Sequence, residues 1–341
     1  VALLAVICAA DSFVAIERFA RAKKAWLATF LDMSGGVPSH DTFGRVFAAL
    51  DPKMLAQAFQ RWTAVMAVTS REKIIPIDGK TLRRSFKQAG DNAFVHMVSA
   101  WSASNGVVLG QVRTDEKSNE ITAIPQLLDL IDVKGALITI DAAGTQTAIA
   151  EKIVANGGDY LLSVKANQPT LHDSMIEHFV GVGKLYNKFE YAGSVAHGHG
   201  RDEVRRSWVS HATEEIASAE RWSGLSTFVR IESTRTINGE TSVENRYYIS
   251  SRKRLSAKAS LAAVREHWSI ENQLHWVLDV AFAEDDSRVR AGNAAANFSA
   301  VRQLALGLLK KRTETKVGIK NRRLMAAWDD TFLLRVIGLN V

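Results

Sequence analysis

Apolar residues recur at spacings of three and four through "SFVAIERFARAKKAWLATFL" (12–31) and again through "SHDTFGRVFAALDPKMLAQAFQRW" (39–62). That period predicts two amphipathic helical stretches, parted by a Gly-Gly-Val-Pro turn, with Ser39 or Asp41 capping the second. From about residue 73 the period shortens. "KIIPI", "FVHMVSAWS" and "GVVLGQVRT" read as strands, the last two joined by a turn at Ala103-Ser104-Asn105-Gly106. "SNEITAIPQLLDLIDV" then reads as a helix capped by Ser118, "GALITID" as a strand, and "TQTAIAEKIVANGG" as a helix closed by glycine. "DYLLSVK" follows as a strand and "TLHDSMIEHFVGV" as a helix. Hairpin strands followed by strand–helix alternation predict an α/β fold, a mixed sheet with helices on its faces. Strict polar–apolar alternation marks 184–254 as a β-rich insertion, with Asn238-Gly239 at a hairpin tip. Helix returns in "SLAAVREHWSIENQLHWVLDVAF" and "NAAANFSAVRQLALGLLKKR". The expected organisation is a helical region at 1–70, the first part of a core at 71–183, the insertion at 184–254, core helices at 255–312 and a tail or helix at 313–341.

Composition narrows this picture. With 341 residues, 47% of them apolar, the chain can build one large core or two modest ones. A formal charge of +7 favours a polyanionic partner. The single cysteine, Cys8, rules out an internal disulfide framework and fits a reducing cytosol. No run of eighteen apolar residues is present, so no membrane span is expected. The opening "VALLAVICAADSF" mimics a signal-peptide core but lacks a basic leader. It reads as the interior of a helical domain that begins further upstream.

Two aspartates share a context. Asp78 closes "IIPID" and Asp141 closes "ALITID", each the first acid after a buried-type strand and each followed by a small or glycine-containing turn. Neighbouring strands lie about 4.8 Å apart, so acids at their ends can converge. Converging carboxylates repel unless protonated or bridged by a cation, and their hard oxygens suit Mg²⁺ or Mn²⁺. The plainer reading is that each acid simply caps the helix that follows. Glu271, in "REHWSIENQLHW", offers a third carboxylate, with His267 and His275 four residues to either side. Those histidines stand eight residues apart, about 12 Å along an α-helix, too far to share one zinc ion.

At these residues the chain resembles a known family, the H-repeat-associated transposases of bacterial insertion sequences, within the DDE transposase superfamily with its RNase H-like fold. The likeness is carried by "LDMSGGVPSHDTFGRVFAALDP", "PIDGKTLRRS", "VHMVSAWSASNGVVLGQVRTDEKSNEITAIPQLLDL", "TIDAAGTQTAIAEKIVANGGDYLLSVKANQ", "HGRDEVR" and "REHWSIENQLHWVLDVAFAEDDSRVRAGNAAANFSAVRQLALGLLK". It implies that Asp78, Asp141 and Glu271 form the DDE triad and hold two Mg²⁺ or Mn²⁺ ions. It also implies an enzyme that cuts DNA at insertion-sequence ends and joins the freed ends to target DNA. Such a protein would act as a homo-oligomer on DNA and reside in the bacterial cytoplasm, associated with the nucleoid. The alternatives are a decayed, DNA-binding remnant and a simple metal-dependent nuclease.

Many members of the superfamily carry Tyr, Arg and Lys around the glutamate; Val264, His267 and Leu278 stand at those positions here. Arg265, Asn272 and His275 are the candidates for the missing helper jobs. Further DNA contacts are expected from Lys80, Arg83 and Arg84 after the first aspartate, from Lys165 and Asn167, from Arg201 in "HGHGR", and from Arg288 and Arg290. Asp285 and Asp286 are expected to pair with the arginines or with the fold rather than with metal. Trp268 and Trp276 are expected to pack first and stack on bases second.

Overall fold

Ser12 and Ser39 start the first long helices for the same reason: each side-chain hydroxyl accepts the orphan N–H three residues on, from Ala15 and Thr42 respectively, both at 3.2 Å. Of the two capping candidates for the second helix, Ser39 is therefore the cap. The structure, a computed structural model, describes residues 1–66, 74–85, 94–114, 120–180, 189–198 and 200–339, with the side chains of 60 and 62–66 excepted. Ser118 and His199 lie outside the described residues.

The helical region comprises α1 (Ala2–Ile7), α2 (Phe13–Ala22), α3 (Lys24–Leu27), α4 (His40–Ala49) and α5 (Pro52–Met66). Next come β1 (Ile74–Leu82), β2 (Val95–Ser102), β3 (Val107–Thr114), α6 (Glu120–Leu130), β4 (Leu137–Ile140), α7 (Thr147–Ala155), β5 (Asp159–Val164) and α8 (Pro169–His178). The insertion is a meander of β6 (Glu190–Gly198), β7 (Arg201–Ser210), β8 (Thr227–Ile237) and β9 (Glu240–Ser250). The chain closes with α9 (Ala257–Ile270), a π turn (Glu271–His275), α10 (Trp276–Phe282), α11 (Ala294–Lys310), α12 (Ile319–Trp328) and α13 (Asp330–Val336).

The described strands follow the order β3-β2-β1-β4-β5-β9-β8-β7-β6. β1, β4 and β5 pair in parallel, and the hairpin β2–β3 and the β5-to-β6 side are antiparallel. This is the mixed α/β, RNase H-like sheet that the resemblance implies. The Asn238-Gly239 tip is present, with φ of 51° and 84°, the pair of left-handed residues that a two-residue hairpin turn requires.

The chain divides into two compact units. One comprises Val1–Ser70, Gly79–Ala123 and Ile270–Val341. Its core surrounds α11, which is buried from Ala294 through Leu309 and packs against Ile7, Ile16, Phe43, Phe47, Trp101, Leu278 and Phe332. A helix buried on every side is central to its core. Asn297 is tolerated there because its amide donates to the carbonyls of Phe47 (2.8 Å) and Leu50 (2.9 Å).

The second unit comprises Arg71–Asp78 and Ile124–Ser269. Its central strands β4 and β5 are almost wholly buried, as expected of parallel strands covered on both faces. Leu137, Leu161, Val229 and Tyr248 of the sheet meet Leu255, Ala263 and Val264 at and in α9. Gly144, in the turn after β4, has no room for a side chain: an added Cβ would lie 2.4 Å from Ile140 Cγ2 and 2.8 Å from Ile124 Cδ1. Gly144→Ala is expected to destabilise this unit by ~1–3 kcal/mol through overpacking. A shift of the urea midpoint measures it, and an unchanged midpoint would show that the turn yields freely.

Candidate active site

The register of β1 against β4 positions the first two acids. Ile74 pairs with Leu137 and Ile77 with Ile140, so Asp78 and Asp141 occupy the next positions along two adjoining parallel strands. Both are half-buried. One expectation changes: β1 does not stop at Asp78 but runs on to Leu82. The strand continues because Gly79 packs closely. A Cβ there would lie 2.0 Å from Glu120 Oε1, so the glycine admits the carboxylate of Glu120 beside the backbone instead of making a turn. Nothing in the sequence around Gly79 announces this partner, which comes from the first turn of α6.

Asp141 has a structural task as well. Its Oδ1 accepts the backbone N–H groups of Ala143 (3.0 Å) and Gly144 (3.3 Å), the local turn that short acidic side chains favour. The turn is stitched to the end of β5. Thr145 Oγ1 donates to the carbonyl of Ser163 at 2.6 Å, and Asn167 Nδ2 donates to the carbonyl of Ala142 at 2.7 Å. Asn167 thus braces the loop that carries Asp141, while Lys165 beside it is exposed. His267 of α9 bonds Thr139 on β4 through Nδ1 at 3.0 Å. Burial lowers the pKa of this imidazole, and the negative charge of Asp141 opposes the shift. Arg265 on α9 and Arg201 on β7 are exposed. Arg201 stands at the base of the β6–β7 hairpin tip, opposite Gly198, with His197 Nδ1 bonded to Asp202 at 2.7 Å.

The other unit carries the remaining candidates. Glu271 and Asn272 are exposed at the start of the π turn, in which the N–H of Trp276 reaches back five residues to the Glu271 carbonyl. His275 ends that turn. Burial, and then the charge of Lys80, push its pKa from 6.5 down to about 3. Its folded-state pKa lies below its unfolded value, so the unfolded chain takes up the proton first. Stability from this group is present above about pH 6.5 and is lost as pH falls toward about pH 3, by at most ~1.4 kcal/mol per pH unit. Urea midpoints at about pH 7 and about pH 5 are expected to differ less in His275→Asn than in the unmodified chain; equal differences would remove His275 as the cause.

Lys80 does not present its charge outward. Its side chain is 10% exposed, its ammonium bonds Asp279, and it lies 3.6 Å from Glu284 and 3.9 Å from Asp285. Arg83 pairs with Asp285 and Arg84 with Asp286, each at 3.3 Å and largely in solvent. The acids at 285 and 286 thus pair with arginines, as expected, though with those that follow β1. Arg288 is exposed, and Arg290 Nε donates to the Arg84 carbonyl at 2.9 Å. Trp268 is half-buried with Arg246 over its ring at 4.9 Å, whereas Trp276 is 61% exposed. In donor chemistry Asp78 and Asp141 suit a hard divalent cation. Among the described residues, no three His, Cys, Asp or Glu side chains are gathered closely enough to hold one. No described helix is long and apolar enough to cross a membrane.

Comparison with known proteins places the chain. Residues 1–63 match the family model described as "DDE_Tnp_1-associated". "Putative transposase YncI" of Escherichia coli O157:H7 is 43% identical over 338 residues, covering 98% of this chain and 86% of that protein. "H repeat-associated putative transposase YhhI" of Escherichia coli strain K12 is 38% identical over 341 residues, covering 98% of this chain and 90% of that one. A cryo-EM structure of the piggyBac transposase synaptic complex with hairpin DNA aligns with a TM-score of 0.43 and 9% identity, over 90% of this chain and 67% of that one. Residues 69–308 match the family model described as "Transposase DDE domain", and with these relatives the chain belongs to the DDE transposase family.

Proposed function

We propose that this protein is a DNA transposase that cuts phosphodiester bonds at insertion-sequence ends and joins the freed ends to target DNA, using Asp78, Asp141 and Glu271. The observation that supports this reading is the parallel register of β1 with β4, whose last pair, Ile77 with Ile140, directly precedes Asp78 and Asp141. Asp141, tied to its turn through Oδ1, would ligate through its other oxygen, and Asp78 and Glu271 would supply the remaining carboxylates. Two Mg²⁺ or Mn²⁺ ions, when bound, would activate the attacking water or 3′-hydroxyl and stabilise the leaving oxygen. The protein's own part is to hold the carboxylates oriented. Thr145 and Asn167 fix the Asp141 turn from β5, and His267, neutral through burial, anchors α9 to β4. Arg201, Arg265, Arg288, Lys165 and Arg83 keep their charges accessible to solvent and suit backbone phosphates. Paired element ends would be served by a homo-oligomer.

The test uses the purified full chain, a duplex carrying the element's own terminal repeats, and a target plasmid. Strand cleavage followed by joined product is expected in Mg²⁺ or Mn²⁺ and lost with chelator. Cleavage without joining would identify a nuclease instead, and DNA binding without cleavage in either metal would identify a remnant.

A further inference from the structure

Lys80 lies two residues beyond Asp78 in a basic stretch, yet its ammonium sits inside the protein. Besides Asp279, Glu284 and Asp285, it donates to the main-chain carbonyl of His275 at 3.3 Å. His275 is the last residue of the π turn that Glu271 begins, and Asp279 lies one turn further along α10. Glu284 is 2% exposed and Arg302, 3.9 Å from it, is also 2% exposed. Nε and Nη2 of Arg302 make no hydrogen bond. Burial raises the pKa of Asp279 and Glu284, and Lys80 works against both shifts. Three carboxylates around one ammonium, Glu284 buried and Asp279 and Asp285 partly exposed, are a costly way to stabilise a helix end, since apolar side chains of similar volume usually do as well. A π turn is likewise uncommon and concentrates at functional positions. Here the costly group grips the uncommon turn.

We propose that Lys80 is a positioning residue: by holding the His275 carbonyl and Asp279 together it locks the π turn and so fixes the direction of Glu271. This rests on the proposed role of Glu271 and replaces a phosphate contact as the task of Lys80. The lock works through geometry that charge neutrality alone cannot supply. Removing Lys80 and Asp279 together, as Lys80→Met with Asp279→Leu, takes away one charge of each sign, leaves Glu284 facing Arg302, and frees the turn.

The experiment compares the full-length protein with Lys80→Met/Asp279→Leu and with Lys80→Arg. In the double variant, the melting temperature is expected to stay near the original, DNA affinity and its salt dependence to be unchanged, and the cleavage rate at saturating DNA to fall about a hundredfold, as a 1 Å misplacement of a reacting group does. Amide hydrogen exchange through 271–276 is expected to accelerate while β4 and β5 stay protected. Lys80→Arg, which keeps a donor but not the compact ammonium, is expected to recover part of the rate. Two results of the DNA assays overturn the proposal. A double variant that cuts at the original rate would make the cluster mere charge balance. Weakened DNA affinity with a shallower salt dependence would make Lys80 a phosphate contact after all. The exchange readout needs no catalysis. If the unmodified protein cuts no DNA, the proposed function fails, and unchanged exchange at 271–276 would separately overturn the lock.

Discussion

Asp78→Asn, Asp141→Asn and Glu271→Gln are each expected to lower the rate of strand cleavage at least about a thousandfold, equivalent to ~4 kcal/mol of lost transition-state stabilisation. An amide keeps the size of the carboxylate and removes the charge that a divalent ion needs. The case of Asp141 is the sharpest, because the residue does two jobs. Its Oδ1 accepts from Ala143 and Gly144, and an asparagine oxygen can accept the same bonds. Asp141→Asn should therefore unfold with the original midpoint while losing cleavage. Asp141→Ala should lose cleavage and also about 1 kcal/mol or more of stability, since two backbone donors lose their acceptor. Binding to element ends should persist in all three variants, because no cation is removed and the backbone phosphates are met by cations. A variant that cuts at the original rate would release that residue from the triad. Equal loss of stability in Asp141→Asn and Asp141→Ala would show that the carboxylate serves the turn through its charge.

The residues whose roles were legible in the sequence are those whose environment is local. β4 and β5 stand out because "LITI" and "YLLSV" are short apolar runs bounded by glycine and acid, the mark of strands buried on both faces. The placing of Asp78 and Asp141 directly after such runs was readable for the same reason. The continuation of β1 past Asp78 was not. Gly79 signals a turn by its own chemistry, and only Glu120, forty-one positions on, explains why a glycine sits in a strand there. Lys80 is the clearest case of misdirection. Beside Arg83 and Arg84 it reads as a DNA phosphate contact, but its partners are Asp279, Glu284 and Asp285, far along the chain. An acid at 279 within the apolar "WVLDVAF" was the available hint. Nothing in "ENQLH" marks a π turn, because an extra residue in a helix leaves no trace in composition.

Arg323→Met is expected to be the most destabilising single change outside the catalytic residues, at ~3–5 kcal/mol. Arg323, on α12, is 2% exposed and uses its whole guanidinium. Nη2 and Nη1 form a fork on Asp11 at 2.5 and 3.2 Å, Nε and Nη2 donate to the Val6 carbonyl at 3.2 and 2.7 Å, and Nη1 also donates to the Ala281 carbonyl. The plane stacks on Phe282 at 4.0 Å. One side chain therefore ties the end of α1, the approach to α2 and the end of α10 to α12. Methionine fills much of the space but leaves a carboxylate and two carbonyls without their donor. Lysine is expected to rescue little, since a single ammonium cannot replace a planar fork with five donors. Asp11→Leu with Arg323→Met should recover part of the loss, because the double change removes the stranded charge, and a coupling near zero would deny the pair any role. Urea midpoints followed by helical signal measure the original, Arg323→Met, Arg323→Lys, Asp11→Leu and the double variant, and an Arg323→Met midpoint equal to the original would overturn the assignment. The consequence reaches residues 1–63, the stretch that matches the associated family model. Leu4, Val6, Ile7, Ile16 and Phe47 lie in the same core as Leu278, Phe298 and Phe332, and Arg323 bolts that core shut. This stretch is thus a structural part of the unit that bears Glu271, and its loss would expose α11 to water.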